Sequence, residues 1–303
     1  MTEQAGLTDG GADLSFEDWI AAIAARTELA LDRALPPADE APAQLHAAMR
    51  HGVLDGGKRV RPLLAHAAGL AFAAPLATVE AAAVAVELIH AYSLVHDDMP
   101  EMDNDLLRRG KPTVHAAFGQ ANALLVGDAL QSLAFEVLAG ADTPRAAQLC
   151  ALLARAAGSR GMAGGQAIDL ASVGLRLSRA ELETMHRLKT GALLRASVLL
   201  GAQAGAADSR AIDALDAYAA AVGLAFQVVD DILDAEADTA TLGKTAGKDA
   251  AADKPTYVSL LGLSDAKLLA ERLRADAHAA LARIDGATLR LAQIADYIVR
   301  RSH

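Results

Sequence analysis

The stretch AAAVAVELIHAYSLVHDDMPEMDNDLLRRGKP, residues 81–112, decides how the fold of this chain is interpreted. Residues 81–95 form an apolar run with helical spacing, and Pro100 predicts that this helix ends just before it. Asp97 and Asp98 therefore fall near a helix C-terminus, where the helix dipole disfavours a carboxylate by about 0.3–1 kcal/mol. Local stability does not explain this placement, whereas binding of a hard divalent cation does.

The acidic residues of this segment admit three interpretations. They are Asp97, Asp98, Glu101, Asp103 and Asp105. A solvated acidic loop is the commonest explanation of an isolated acidic run, and a calcium loop is discounted because its glycine and closing glutamate are missing. A magnesium site is favoured by the apolar helix before the acids and by Arg108 and Arg109 directly after them. Metal ions and arginines together suit a diphosphate.

A second acidic segment, FQVVDDILDAEAD at residues 226–238, has the same character. Asp230 and Asp234 share one helix face with Gln227 nearby, and like charges at this spacing cost roughly 0.2–0.5 kcal/mol. The apolar neighbours predict a mostly buried helix in which Asp231 and the other carboxylates need partners, although a wet helix end is an alternative. Three downstream lysines offer anion contacts: Lys244, Lys248 and Lys254. If both clusters bind metal, they face one another across a helical cavity and hold several Mg²⁺ ions around one diphosphate.

Three further places offer polar residues for an anionic substrate. GGKRVRP at residues 56–62 joins a glycine turn to a basic helix start, and a helix N-terminus favours anions. His90 shares a helix face with Asp97, which favours substrate binding over the commoner role of a satisfied core histidine. Lys189-Thr190-Gly191 lies within a long helical pattern, where the glycine permits a kink that frees backbone carbonyls. Solvated charges at a helix joint remain the plain structural alternative.

Composition narrows the class of protein. Of 303 residues, 53% are hydrophobic and only 3% aromatic, which favours helices and a large core. The net charge of −10 argues against nucleic-acid binding, which needs a basic face. The single cysteine, Cys150, allows no internal disulfide and fits a cytoplasmic location. No stretch of about 18 uncharged apolar residues predicts a membrane span.

Helical periodicity predicts an all-α fold, with one helical bundle around a central cavity at 16–303 after a flexible tail at 1–15. The small, polar segment 237–254 is predicted to be a mobile loop that closes over a site. The predicted helices cover 16–35, 41–55, 61–73, 78–98, 120–139, 144–157, 178–205, 209–236, 264–284 and 287–301. Ser178 and Glu181 form a capping-box pattern at the start of one of them.

With these residues in hand, the chain closely resembles the trans (E-type) polyprenyl diphosphate synthases, and among them the bacterial farnesyl diphosphate synthases. The resemblance extends from about residue 16 to the end. Its segments are GGKRVRP (56–62), ELIHAYSLVHDDMPEMDNDLLRRGKPT (87–113), GDALQSLAFEVL (127–138), GGQAIDL (164–170), KTGALLRAS (189–197), FQVVDDILD (226–234), GK (243–244), DKPTY (253–257) and ADYIVRR (295–301).

The resemblance implies a role for each matched residue. Mg²⁺, three ions per site with Mn²⁺ as a substitute, would be held by Asp97, Asp103 and Asp230, with Asp98 and Asp234 supporting. The allylic diphosphate would contact Arg108, Lys189 and Lys244, with Lys254 close by, and isopentenyl diphosphate would contact Lys58, Arg61, His90 and Arg109. Thr190, Gln227 and the Lys189 carbonyl would stabilise the allylic cation. The family also implies the isoprenoid synthase type I fold and a homodimer. Asn104 departs from the run of aspartates that many relatives carry.

Product length is expected to depend on Tyr92 and Ser93, which lie roughly one turn before Asp97 and bound the pocket. An aromatic residue beside a small one predicts a C15 product, with C20 or C10 as alternatives. A class I terpene cyclase is the nearest rival enzyme, but it needs one diphosphate site, whereas this chain supplies residues for two. An inactive regulatory subunit is expected to have lost one aspartate cluster, and both are present.

Overall fold

Helices account for nearly all regular structure in residues 14–175, 177–240 and 256–301, the part of the chain that the computed structural model describes. The all-α prediction is confirmed. The helices are α1 (Phe16–Ala34), α2 (Ala43–Val53), α3 (Val60–Ala71), α4 (Leu76–Asp97), α5 (Val114–Phe118), α6 (Gln120–Ala139), α7 (Ala146–Ala157), α8 (Met162–Ala171), α9 (Arg179–His186), a π-helical turn (Arg187–Gly191), α10 (Ala192–Ala204), α11 (Ser209–Ala240), α12 (Tyr257–Leu261), α13 (Leu263–Leu281) and α14 (Leu289–Arg300). Two strands, β1 (Leu107–Arg108) and β2 (Lys111–Pro112), form a hairpin.

The first of two compact units runs to Ala151 and includes Leu200–Ala206. Its central element is α4, which packs against α3 and α6 and is apolar on nearly every side. Side chains such as Val86, Leu88 and Ile89 are fully buried. A helix that is apolar all round belongs in a core, so the acidic turn that follows α4 is anchored to the best-packed part of this unit.

The second unit comprises Leu152–Leu199 and the chain from Ala207 onward. The long helix α11 packs along α13 and against the π turn. Buried Tyr218 on α11 donates a hydrogen bond to the Leu291 carbonyl oxygen at 2.7 Å, which fixes α14 against it. The predicted capping box is confirmed, because the Ser178 and Glu181 side chains each accept a hydrogen bond from the other residue's backbone N–H. The single domain predicted for 16–303 stays a prediction.

Several boundaries differ from those predicted. The helix predicted at 178–205 is divided into α9, the π turn and α10, and α11 continues four residues beyond its predicted end. The rest of the predicted mobile loop, 241–254, and most of the predicted tail, 1–13, lie outside the described residues. Three short helices were missed, namely α5, α8 and α12. The five residues of α5 and of α12 are too few for periodicity to distinguish them from turns. The ten-residue α8 contains Gly164-Gly165, a pair that locally disfavours a helix.

Three helices are long and apolar enough to cross a membrane by length and composition alone: Leu76–Asp97, Gln120–Ala139 and Ser209–Glu236. None holds a wholly uncharged stretch of about 18 apolar residues, but the sequence analysis did not anticipate that three helices meet these looser limits. Burial inside the protein covers 67% of the apolar window of α4, 56% of that of α11 and 33% of that of α6. Among the three, α6 therefore leaves the most apolar surface uncovered.

Acid is expected to destabilise the fold between pH 6.5 and 4, because two buried histidines resist protonation. Burial, aided by nearby Arg26, lowers the pKa of His66 to about 4, and burial likewise lowers the pKa of His186 to about 4. Because the folded pKa of each histidine lies below its unfolded value, the stability contributed by the neutral side chain is fully present above pH 6.5. It is lost as the pH falls towards 4, by up to about 3 kcal/mol per histidine.

Urea unfolding across pH 4–8 measures this loss. His66→Met should flatten the dependence on pH relative to the wild type. An unaltered slope in His66→Met would show that folding does not lower the pKa of His66.

Candidate active site

The turn after α4 folds back on the helix end and collects the first aspartates. The backbone N–H of Asp103 donates to the Asp97 carbonyl oxygen at 2.8 Å, and that of Asp105 donates to the Asp98 carbonyl oxygen at 3.1 Å. Asn104 makes this possible with a left-handed backbone (φ 51°), which asparagine tolerates better than most residues. Asp103 is thus brought beside Asp97, and Asp105 beside Asp98.

The hairpin that follows separates two neighbouring arginines. Arg109 (φ 53°) and Gly110 (φ 76°) are the two central residues of a turn whose positive angles are those of type I′. Leu107 pairs with Pro112 and Arg108 with Lys111. Two residues per strand are too few for an alternating pattern, so the sequence did not predict the hairpin. Its turn sends Arg108 and Arg109 to different partners.

Arg108 forms an ion pair with Asp98. Its Nε lies 2.9 Å from both carboxylate oxygens of Asp98, and its Nη2 lies 2.6 Å from Oδ1. Burial alone would lower the pKa of Arg108, but hydrogen bonds to Asp98 and its charge outweigh burial and raise it. The Asp98 side chain is only 4% exposed. The pair braces the hairpin against the end of α4.

Cationic side chains surround His90 in the same unit. Burial is the main cause that lowers the pKa of His90 well below its usual range, and the charges of Arg61, Arg109, Arg108 and Arg59 lower it further. His90 is therefore neutral at pH 7 and remains a hydrogen-bonding group among positive charges. Such a cluster suits an anion.

Arg109 lies directly against the glycine turn of the GGKRVRP segment. A Cβ built on Gly57 would lie 2.7 Å from Arg109 Nη2, and one on Gly56 would lie 2.7 Å from Nη1. Gly57 also has a left-handed backbone (φ 89°), which a side chain would disfavour. The structure thus brings the loop that carries exposed Lys58 into contact with Arg109. The charges of Arg61 and Arg109 both act on neutral His90, so these two arginines belong to the same cluster.

The second acidic cluster lies on α11, in the other unit. Asp230 accepts a hydrogen bond from Arg301 Nη2 at 2.7 Å. The same guanidinium donates to the Phe226 carbonyl oxygen at 2.8 Å and lies 4.0 Å from the centre of the Phe226 ring. Arg301 was not among the residues predicted for the site, although the segment ADYIVRR that contains it supported the resemblance. Asp234 is exposed on the same helix.

Asp231 and Gln227 connect α11 to its neighbours. Asp231 is 5% exposed and accepts the Gln227 Nε2 donor at 3.0 Å and the Tyr257 backbone N–H at 2.7 Å. Gln227 Oε1 in turn accepts the Thr190 hydroxyl at 3.4 Å. Asp231 therefore orients Gln227 and holds the start of α12, a structural duty that the sequence analysis did not predict.

The π turn presents Lys189 and Thr190. Lys189 Nζ lies 2.5 Å from Asp169 Oδ2 on α8. A Cβ on Gly165 of the same helix would lie only 2.1 Å from the Lys189 backbone nitrogen, so glycine is required for the two segments to approach. The kink predicted at Gly191 is realised as a π turn, a feature frequent at functional sites.

Tyr92 and Ser93 occupy the α4 turn before Asp97. The Tyr92 ring meets the His96 ring edge to face at 5.7 Å, and its phenol hydrogen-bonds the Gln131 side chain of α6. Burial is the first cause that raises the pKa of Tyr92. Ser93 donates its hydroxyl to the His90 carbonyl oxygen at 2.8 Å. Tyr92 is thus contacted by side chains of α4 and α6, two helices of its own unit.

The carboxylates of the two clusters fit a hard divalent cation by donor chemistry. Among the described residues, no group of three or more His, Cys, Asp or Glu side chains is arranged to hold a metal ion. With phosphate substrates, Mg²⁺ usually takes one or two carboxylates and draws its remaining ligands from phosphate and water. Two of the predicted substrate ligands, Lys244 and Lys254, lie outside the described residues.

Comparison with known proteins decides the family. The model of the family described as "Polyprenyl synthetase" matches residues 42–285. The chain belongs to the polyprenyl synthetase family. Polyprenyl synthetases act on isoprenyl diphosphates and use a divalent metal ion, which matches the two kinds of cluster found here, acidic and cationic.

Three relatives illustrate this polyprenyl synthetase's similarity to others. The farnesyl diphosphate synthase of Escherichia coli is 47% identical over 95% of the chain and 100% of its own length. That of Haemophilus influenzae is 48% identical over 86% of the chain and 89% of its own length. The crystal structure of an FPP/GFPP synthase from Zymomonas mobilis superposes with a TM-score of 0.85 at 40% identity, covering 94% of the chain and 98% of that structure.

Proposed function

We propose that this polyprenyl synthetase is a farnesyl diphosphate synthase. It joins isopentenyl diphosphate to dimethylallyl diphosphate and then to geranyl diphosphate, releasing one diphosphate at each step. The observation that carries the proposal is full-length similarity to a farnesyl diphosphate synthase, together with a group of cations around His90 in addition to the two acidic clusters. Two anionic substrates need two separate places that bind a diphosphate. A terpene cyclase needs one, and is the alternative.

Isopentenyl diphosphate is proposed to bind at the cluster around His90. Its diphosphate contacts Lys58, Arg61, Arg109 and His90, and the guanidinium forks of the arginines suit its oxygens. Neutral His90 adds a hydrogen bond without an additional charge to neutralise. The lysine is exposed and Arg61 is half-buried, so the cluster is open to a ligand.

The allylic diphosphate is proposed to bind between carboxylate-held metal and three cations. Asp97, Asp103 and Asp230 would hold the metal, with Asp98 and Asp234 supporting, and we propose three Mg²⁺ ions with Mn²⁺ as a substitute. Arg108, Lys189 and Lys244 contact the diphosphate, with Lys254 close by. A bound divalent ion supplies neutralisation of the charge that builds on the departing diphosphate.

The protein's own groups then act on the allylic carbon. The Thr190 hydroxyl oxygen, the Gln227 amide oxygen and the Lys189 carbonyl would stabilise the developing cation with their dipoles. The hydrogen bond between Thr190 and Gln227 orients two of these groups. The double bond of isopentenyl diphosphate forms the new carbon–carbon bond at that carbon. The released diphosphate accepts the proton whose loss restores the alkene. Apolar helix faces exclude water, which would otherwise quench the cation.

Tyr92 is proposed to limit the product to C15, with C20 and C10 as alternatives. Tyr92→Ala is expected to shift product towards C20 and longer, because removing the ring extends the pocket along α4. Chromatography of products from isopentenyl and geranyl diphosphates measures the shift. Tyr297→Ala removes a half-buried tyrosine of the other unit and is the control. If Tyr92→Ala makes no longer product, Tyr92 is not the floor.

A cytoplasmic homodimer is proposed for the working enzyme. Support comes from α6, which exposes Leu124 and Leu125 at 50% and 51% and has the least buried apolar window of the three long apolar helices. Exposed apolar patches of this kind commonly mark protein interfaces. Light scattering during size-exclusion chromatography gives the mass, and a monomer at working concentration would rule out the dimer.

Activity with defined substrates tests the proposal as a whole. The purified protein is incubated with Mg²⁺, isopentenyl diphosphate and a C5, C10 or C15 allylic diphosphate, and product lengths are measured. We expect the C5 and C10 partners to be converted to C15 and the C15 partner to remain. Absence of condensation with every partner would exclude the function, and turnover without isopentenyl diphosphate would identify a cyclase.

A further inference from the structure

We propose that Glu28, Arg59 and Glu87 form a clamp, with Arg59 and Glu87 buried, that positions the loop Asp55–Arg59 for the diphosphate of the second substrate. This loop carries Lys58 and the two glycines that lie against Arg109. The inference rests on the proposed function, since it concerns the place where isopentenyl diphosphate binds. None of the three clamp residues is placed in contact with substrate, so each is a positioning residue.

Arg59 is the centre of the clamp. Its side chain is 4% exposed, and Nη1 lies 2.7 Å from Glu87 Oε1 on α4. Nη2 lies 2.6 Å from Glu28 Oε2 on α1 and donates to the Val53 carbonyl oxygen at 2.7 Å. Burial lowers the pKa of Arg59, but the charges and hydrogen bonds of both glutamates outweigh burial and raise it. One guanidinium thus joins three separate segments.

The loop is held at both ends by the same glutamate. Glu28 Oε1 accepts the backbone N–H of Asp55 at 2.5 Å, while Oε2 accepts from Arg59. Asp55 and Arg59 both have left-handed backbones, with φ of 60° and 48°. A residue with a Cβ avoids this region unless its surroundings impose it, and such strain gathers at functional sites. The hydrogen bonds that Glu28 accepts from Asp55 and Arg59 impose this backbone conformation on both residues.

The inward turn of Arg59 has a consequence for its neighbours. Arg59 is the residue before the first turn of α3, so with its side chain in the core, Lys58 stays exposed and Arg61 is half-buried on the cationic side. Glu87 lies one turn before His90 on α4, and its charge opposes the effect of burial on the pKa of Arg109. Oε2 of Glu87 has no hydrogen-bond partner among the described residues. The carboxylate that pairs with Arg59 thus also acts electrostatically on Arg109.

A simpler role for the clamp is to tie α1 to α4 with no effect on binding. The double variant Arg59→Met/Glu87→Met separates the two roles. Replacing both partners of a buried ion pair with apolar residues of similar size is often neutral for stability, so the thermal midpoint should stay close to that of the wild type. The double variant nevertheless removes the Arg59 hydrogen bonds that hold the loop in place.

Steady-state kinetics with both substrates is the experiment. We expect the double variant to raise the KM for isopentenyl diphosphate by about 10- to 100-fold, as for other residues that orient a ligating group, and to change the KM for geranyl diphosphate by less than about twofold. Arg26→Met/Glu80→Met is the matched control, because this pair also joins α1 to α4 but lies away from the loop. It should change neither KM.

The outcomes distinguish the inference from the function beneath it. An unchanged KM for isopentenyl diphosphate, or equal rises for both substrates, overturns the clamp while leaving the proposed function standing. A wild-type protein that does not condense isopentenyl diphosphate overturns the function itself. If the double variant does not fold, Glu28→Gln at the more exposed corner carries the test, with an expected rise of about threefold in the same KM alone. No rise in Glu28→Gln would equally overturn the clamp.

Discussion

Replacing Asp97 with alanine is expected to lower kcat by about 10³-fold while the protein stays folded. Loss of one preorganised group that stabilises transition-state charge typically costs 10²–10³-fold, and Asp97 is proposed to hold metal at the departing diphosphate. The backbone hydrogen bond from Asp103 to the Asp97 carbonyl oxygen does not depend on the side chain. Alanine therefore preserves the acidic turn and removes one carboxylate.

Stability should respond in the opposite direction. Asp97 is the last residue of α4, where a carboxylate is disfavoured by the helix dipole, so its removal is expected to leave the thermal midpoint unchanged or slightly raised. Such a trade of stability for activity marks a functional residue. Glu101→Gln changes an exposed acid in the same turn and is the control for net charge. Activity of Asp97→Ala within tenfold of the wild type would contradict the assignment.

Gly165→Ala is expected to lower kcat by about 10²-fold and to destabilise the fold by about 1–3 kcal/mol. The added methyl would lie 2.1 Å from the backbone nitrogen and 2.5 Å from the Cα of Lys189. Backbone cannot rotate away as a flexible side chain can, so the π turn must shift by about an ångström. Lys189 and Thr190 shift with it.

The sign of the stability change distinguishes this prediction from the usual effect of replacing a helical glycine with alanine. In an ordinary helix interior, alanine is more stable than glycine by about 0.5–1 kcal/mol, so a higher thermal midpoint would show that the close approach is absent. The KM for isopentenyl diphosphate should not change, because its proposed ligands belong to the other unit. Ala167→Ser, on the exposed side of α8, controls for substitution on this helix. Thermal unfolding and steady-state kinetics supply both readouts.

Periodic burial made the long helices predictable. The helix α6 was predicted with its observed ends, and α1, α2, α3 and α4 within about two residues, since each is long enough for its apolar residues to show a pattern over several turns. Pro100 correctly placed the end of α4. The five-residue helices α5 and α12 were missed because the local pattern is weak at that length and tertiary contacts decide the conformation.

The sequence suggested which residues belong to the candidate site but not which of them contact one another. The spacing of Asp97 and Asp103 suggested a shared ligand, but only the backbone hydrogen bond shows how the turn brings them together. Nothing in the sequence near Asp98 distinguishes Arg108 from Arg109 as its partner. That choice depends on a type I′ turn. Arg301 lies 71 residues from Asp230, a separation that no local pattern can bridge.

The π turn at Arg187–Gly191 also determines how this helix responds to a change in chain length. A π turn accommodates one residue more than an α turn, so α9 and α10 are offset by a single extra residue. Deleting one residue within the turn would merge α9 and α10 into a continuous α-helix and leave each in contact with its present neighbours. Lys189 and Thr190, however, would rotate by about 100° around the helix axis. A deletion that the core tolerates would thereby remove two groups from the site, whereas a deletion further along α10 would misalign its core face.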